Sequence, residues 1–325
     1  MFHALKLTLA AMLLASLSNV AAAAPGADKG TFGTFTDPAK AGPDYAVQGE
    51  YKNDKFGAQV IALGGEKFRL VLYTGSLPGE GWQRKDKVQR IEGETKNGVT
   101  TFKSDALSGT ISGEKLSLSG SGGDSLGTLK KVSRKSKTLG AKPPAGAIVL
   151  FDGSTAKHFK GGKMTADKLL LAGCETERKF GDHTLHVEFR TPFKPYGRGQ
   201  GRGNSGVYLQ NRYECQVLDS FGLKGENDEC GGIYSINVPK VNMCYPPLTW
   251  QTYDIDFTAA RFKDGKKVKN ARTTIRHNGY VIHDDLELTH GTPGKHPEGA
   301  GPDGIYFQGH GNPVVYRNVW VVEKK

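Results

Sequence analysis

The residues best suited to chemistry lie within one short stretch, Tyr213-Glu214-Cys215-Gln216-Val217-Leu218-Asp219. Read as a strand, it places Glu214, Gln216 and Leu218 on one face and Cys215 and Val217 on the other. Asp219 joins the first face only if one extra residue bulges out of the ladder, a device common beside active sites. Two carboxylates flanking an amide on one face suit cleavage of a glycosidic bond. One group gives a proton while the other attacks or takes one. The plainer reading of the same pattern is a pair of surface carboxylates on an exposed sheet face.

The elements that must position this stretch read as strands. Glycine is abundant, at 44 residues, helix-length amphipathic patterns are scarce, and short alternating runs end in turn residues, an all-β signature. Ala58 to Leu63 and Lys67 to Tyr73 join around Gly64-Gly65; Val88 to Glu94 and Val99 to Lys103 flank Asn97-Gly98, a strong hairpin signal; another hairpin turns at Ser112-Gly113-Glu114. Residues 45–132 are therefore expected to form a small β domain of unassigned role. Residues 133–144, polar and ending in Pro143-Pro144, read as an exposed linker. From residue 145 to 325, Ile148 to Phe151, His183 to Arg190, Ser205 to Gln210, Tyr213 to Leu218, Gln251 to Phe257, a hairpin turning at Asn278-Gly279, Gly304 to Gln308 and Val314 to Val322 predict a β-sandwich or jelly roll.

Composition bounds the setting. Lys6, the apolar run Leu7 to Ala15 and the small residues Ala21 to Ala24 have the layout of a secretory signal peptide over residues 1–24, so the mature chain is expected in the periplasm or outside the cell. The apolar run is shorter than a membrane span requires. Net charge is +11, but Lys130, Lys131, Arg134, Lys135, Lys137 and Lys142 form no helical stripe, which argues against a nucleic-acid partner and for a solvated surface loosely attracted to anionic envelope polymers. Cys174, Cys215, Cys230 and Cys244 are even in number and form no CxxC pair, so disulfides are expected. Cys230 with Cys244 is the favoured bridge; pairing of Cys174 with Cys215 stays open. His183 and His186 fall on opposite strand faces and cannot share a metal there. Asp284, Asp285, Glu287 and His290 form an acidic cluster that reads as solvated loop or as a weak Ca²⁺ candidate. No organic cofactor is expected.

The Glu214 strand resembles the E-x-D-x-x-E strand of laminarinase-type glycosidases, with Gln216 in place of the Asp and Asp219 in place of the second Glu. More of the chain is similar to another family. Leu150-Phe151-Asp152-Gly153, Lys179 to Arg190, Gly203-Asn204-Ser205-Gly206-Val207-Tyr208, Tyr213 to Asp219, Gly232-Ile233-Tyr234, Trp250 to Asp254, Asn278-Gly279, Gly304 to Gly311 and Tyr316-Arg317-Asn318-Val319 resemble the 3-keto-disaccharide hydrolase family over residues 145–325. The resemblance implies a concanavalin-like jelly roll acting on glycosides oxidised at C3. A ketone there acidifies the C2 proton, so a base can remove it and expel the C1 substituent, and water then adds to the enone. Such a site wants a base, an acid and donors for the enolate oxygen. On this reading Asp219 and Glu214 are base and acid, interchangeably, and His310 donates to the ketone. Asn204 and Gln216 bond sugar hydroxyls. Tyr208 stacks or packs in the core, and Arg317 touches substrate or pairs with an acid. The loop from Tyr196 to Gly203 would form one wall of the cleft. A non-catalytic carbohydrate-binding module and a laminarinase-like hydrolase remain the alternatives.

Overall fold

Turn-bounded apolar runs become strands throughout residues 33–324, which the structure, a computed structural model, describes; the leader expected over residues 1–24 lies outside them. In the N-terminal half, a short helix, α1 (Gly42–Val47), precedes eight strands: β1 (Gly49–Lys52), β2 (Phe56–Gly64), β3 (Lys67–Thr74), β4 (Val88–Lys96), β5 (Val99–Lys103), β6 (Leu107–Ser112), β7 (Lys115–Gly120) and β8 (Ser125–Val132). They pair in chain order and β8 closes on β1, making an antiparallel barrel without free edges. Asn97 and Gly98 turn the fourth and fifth strands at φ 51° and 77°, as a tight hairpin demands. Alternation then sorts the side chains. Ala58, Val60 and Ala62 of β2 and Phe68, Leu70 and Leu72 of β3 fill the interior. The opposite parity, Ile61, Val71 and Tyr73, is buried against Phe221 of the C-terminal half.

That half is a two-sheet sandwich built from β9 (Ile148–Phe151), β10 (Phe159–Lys160), β11 (Leu170–Leu171), β12 (Cys174–Thr176), β13 (His183–Arg190), β14 (Ser205–Leu209), β15 (Tyr213–Val217), β16 (Gln251–Thr258), β17 (Arg261–Lys263), β18 (Lys266–Lys269), β19 (Ala271–His277), β20 (Tyr280–Leu288), β21 (Tyr306–Phe307) and β22 (Val315–Glu323). One sheet has the order β10-β12-β21-β14-β15. The other has the order β11-β22-β13-β16-β19-β20, with β9 also against β22. The pair β17–β18 forms a separate ribbon. Leu185, Val187 and Phe189 of β13, Tyr253, Ile255 and Phe257 of β16, and Val207, Cys215 and Phe307 of the facing sheet make the core. Phe307 stacks on Tyr316 across it at 4.4 Å. The expected all-β jelly roll behind a small β domain is the observed architecture.

The segment expected as an exposed linker is docked. It crosses the outer face of the seven-stranded sheet, where Ser136 Oγ lies 2.6 Å from Thr252 Oγ1 and Thr138 Oγ1 donates to Asp254 Oδ2 at 2.6 Å. Gly140 N donates to Glu188 Oε1 at 2.6 Å, and Ala141 O accepts from Asn318 Nδ2 and Trp320 Nε1. These ties are polar, so no apolar period announces them. Barrel and sandwich accordingly fall in one compact unit, Gly33–Lys325.

The cysteine expectation needs correction: all four thiols are free and buried. Cys230 and Cys244 are neighbours inside the sandwich, as the compact segment between them suggested. They remain unbonded, with Cys230 Sγ 3.2 Å from Tyr253 Oη and Cys244 Sγ turned toward the Leu218 carbonyl. Cys174 and Cys215 sit on β12 and β15, three strand spacings apart in the sheet. That is about 14 Å, twice the Cα separation a disulfide can span.

Candidate active site

Strand pairing assembles the site on the outer face of the five-stranded sheet. Tyr208 of β14 faces Glu214 of β15 on one side and Tyr306 of β21 on the other, and Tyr306 faces Glu175 of β12. Beyond β15, the segment Gly232-Ile233-Tyr234 adds to the sheet edge, with Tyr234 N donating to Glu214 O. One row therefore reads Glu175, Tyr306, Tyr208, Glu214, Tyr234. Gln308, Gly206 and Gln216 form the next row, Gln308 N donating to Gly206 O and Gly206 facing Gln216. A side chain at position 206 would displace the Glu214 carboxylate, because an added Cβ would stand 2.1 Å from Glu214 Oε1. Glu214 thus leans into the space a side chain would fill.

The buried amides of this face are wired to one another and to the loops around them. Gln200 Nε2 donates to Asp228 O, and its Oε1 accepts from Asn204 Nδ2 at 2.7 Å and Gln216 Nε2 at 3.5 Å. Gln308 Nε2 donates to the Tyr208 hydroxyl, which donates to Pro293 O at 3.1 Å. What remains unpartnered is Glu214 Oε1, Asn204 Oδ1 and Gln308 Oε1. Three free acceptors on one face call for a ligand rich in hydroxyl donors. Glu214 is 3% exposed, and burial pushes its carboxyl up to about 7, with the neighbouring Tyr208 hydroxyl drawing it down. A carboxyl poised there can give or take a proton at neutral pH. Burial, and then the nearby Glu214 charge, holds the Tyr208 hydroxyl far above its ordinary value.

Two loops wall the site. Residues 194–203 supply Gln200 and Arg202. Residues 292–295 lie along the Glu214 row: Thr292 Oγ1 accepts from Glu214 N, Gly294 sits against the Tyr208 hydroxyl, and Lys295 Nζ reaches Glu175 Oε2 at 2.7 Å. A cavity of about 710 Å³ elsewhere, lined by Trp82, Arg84, Lys240 and Tyr280 among others, holds no buried carboxylate.

Several expected site residues fall elsewhere. No bulge occurs in β15, whose register with β14 is unbroken; the strand ends at Val217 and Asp219 lies beyond it, 1% exposed. Its Oδ2 accepts from Arg202 Nε at 2.7 Å, and the same guanidinium donates to Ala62 O and Gln48 Oε1 of the barrel half. Asp219 therefore faces the barrel seam rather than the Glu214 row. Tyr208 is on the expected face but only 1% exposed, a hydrogen-bond hub rather than an open stacking platform. Asn204 and Gln216 are both in the site. His310 is exposed in the loop after β21, which Asn312 ties to Gly203 N and Lys194 Nζ at the rim. Arg317 belongs to the other sheet. There it donates to Glu188 Oε2 at 2.7 Å and lies 4.0 Å over the Trp250 ring, beside His186 and Asp254. It pairs with an acid and is remote from Glu214. Asp284 pairs with Lys240, and Asp285 and Glu287 with Arg272. Among the described residues, no group of three or more His, Cys, Asp or Glu side chains could hold a metal.

Gln200 lies in the loop from Tyr196 to Gly203 expected as a wall of the cleft, whereas Tyr234, Tyr306, Gln308 and Lys295 were missed as site residues. Tyr306 and Gln308 share a parity visible in Gly304 to Gln308. Tyr234 reaches the site through edge pairing and Lys295 through a loop, which no periodicity marks.

Residues 146–322 match the sequence profile of the 3-keto-alpha-glucoside-1,2-lyase-like domain. A crystal structure of a "putative glycosyl hydrolase" from Parabacteroides distasonis is similar at 30% identity and TM-score 0.52, over 56% of this chain and 85% of that one. A second protein of that description from the same organism, at 18% identity and TM-score 0.41, aligns over 55% of this chain and 95% of its own. No curated protein matches. With more than half of its residues inside the profile, the chain belongs to the family of 3-keto-alpha-glucoside-1,2-lyase-like domains.

Proposed function

We propose that this protein is an exported enzyme that cleaves 3-keto-glycosides or 3-keto-disaccharides by elimination across C2 and C1, followed by rehydration. Membership of the family supports the substrate class, and the similarity to a Parabacteroides protein described as a "putative glycosyl hydrolase" supports action on a glycoside. The leader-like residues 1–24 support export to the periplasm or beyond.

The observation that carries the reading is Glu214, a nearly buried carboxyl brought to about 7 beside two unpartnered amide oxygens. The C3 ketone makes the C2 proton acidic, so a carboxylate suffices to remove it. The electron pair moves into the C2–C1 bond as the glycosidic oxygen leaves and is protonated. Water then adds to the enone, and no covalent glycosyl-enzyme forms. Glu214, as its carboxylate, takes the C2 proton, and His310 at the rim gives one to the departing glycosidic oxygen. Asn204 and Gln308 accept from sugar hydroxyls, and Gln216 fixes the Gln200 hub. Asp219 acts through Arg202, by holding the wall that carries Gln200 and Asn204.

The test is incubation with the 3-keto and ordinary forms of one aryl glucoside. Turnover of the keto form alone is expected, falling at least about a hundredfold in Glu214→Gln. Cleavage of only the ordinary form would point to a laminarinase-like hydrolase, and binding of either without cleavage to a lectin-like module.

A further inference from the structure

The row carrying Glu214 is rich in acceptors, yet a C3 ketone offers only acceptor lone pairs and becomes an anionic oxygen when C2 is deprotonated. It therefore needs a donor or a cation, and the buried unpartnered atoms beside Glu214 are all acceptors. A cation stands further along the row. Lys295 Nζ lies 4.4 Å from the centroid of the Tyr306 ring and 2.7 Å from Glu175 Oε2. The Tyr306 ring is 5.5 Å from that of Tyr208, the residue facing Glu214. Lys295 is thus two strand spacings from Glu214, about 10 Å. That separation matches one pyranose ring with a hydrogen bond at each end. Lys160 also lies near Glu175, at 3.9 Å, but is twice as exposed, 60% against 30%.

The chain around Lys295 is fixed. Thr292 Oγ1 accepts from Glu214 N, and Pro293 O accepts from the Tyr208 hydroxyl. A Cβ on Gly294 would stand 2.4 Å from that hydroxyl. The ammonium is therefore positioned before substrate arrives, as electrostatic stabilisation of a developing charge requires.

Resting on the reading of substrate given above, we propose that Lys295 is a further catalytic residue, the cation that receives the C3 oxygen and stabilises the enolate, and that Glu175 and Tyr306 position it. Lys295 would then set the preference for oxidised over ordinary sugars.

The experiment compares wild type, Lys295→Met and Lys295→Arg on the 3-keto aryl glucoside, with thermal melts confirming the fold. Loss of kcat by roughly a hundredfold or more is expected in Lys295→Met, with part restored in Lys295→Arg. In the non-turnover Glu214→Gln background, calorimetry should show that Lys295→Met removes preferential binding of the keto form over the ordinary glucoside. Unchanged kcat in a folded Lys295→Met protein, or unchanged binding preference, would overturn the assignment while leaving the proposed reaction standing. If wild type fails to cleave the keto form, it is the underlying reading that fails.

Discussion

Asp219 and Glu214 show how two carboxylates five residues apart acquire unlike duties. Glu214 has one free oxygen and a partner-poor setting; Asp219 has a guanidinium. Removing the charge at Asp219 leaves the buried Arg202 uncompensated, so Asp219→Asn should lower stability by roughly 3 kcal/mol in denaturant melts. Glu214→Gln should leave stability at pH 5 nearly unchanged and raise it at pH 8. The sign follows from Glu214 holding its proton up to about 7 in the fold, while the unfolded chain releases it near 4.3. Ionising the native carboxyl is therefore a cost that grows with pH. Equal responses of the two variants at both pH values would contradict this division. The sequence placed Glu214, Gln216, Asn204 and Tyr208 on one shared face, as the strand pairing does, because period-two alternation is local. Asp219 was misplaced because a strand end and an inserted bulge give the same spacing, and only the Arg202 contact, 17 residues away, separates them.

At the scale of elements, hairpins with Gly or Asn-Gly turns were legible and long-range edges were not. The short strands β10, β11 and β12, two or three residues each, carry too few side chains for a period. The crossing segment after the barrel was hidden for another reason: its bonds run to Thr252, Asp254 and Glu188, polar partners that a sequence presents as ordinary surface. Thr138→Val should therefore cost about 1 kcal/mol in a denaturant melt and leave turnover within about twofold, since it lies on the sheet opposite Glu214; a larger loss of turnover would show coupling between the two faces. The thiols give a second check on the core. Ellman's reagent should find four in denaturant and almost none in the native protein, whereas two in denaturant would restore the Cys230–Cys244 bridge.

For the whole molecule, acid is the revealing variable. His183, His277 and His283 are buried and neutral, held down to about 4, 3 and 4 by burial. The unfolded chain takes up protons at these sites below about 6.5 and the folded chain does not, so stability is full above that pH and drains as the pH falls toward 4. Glu214, Asp219, Glu229 and Asp44, all raised by burial, and His186, raised by its bonds to Asp254 and Glu188 against the effect of burial, act the other way. The histidine part is therefore read by difference: between pH 7 and 5 the denaturation midpoint of His283→Gln should fall less, or rise more, than that of wild type, and parallel pH profiles would refute it. The seven-stranded sheet carries a last consequence. Its strand β22 lies between β11 and β13 and also against β9, yet it is the last strand among the described residues. During synthesis the barrel can close while the sandwich still lacks the strand its earlier strands flank. The sandwich that carries the Glu214 face can therefore be completed only after β22 has left the ribosome, and loss of residues 315–323 would leave a formed barrel attached to an unassembled sandwich.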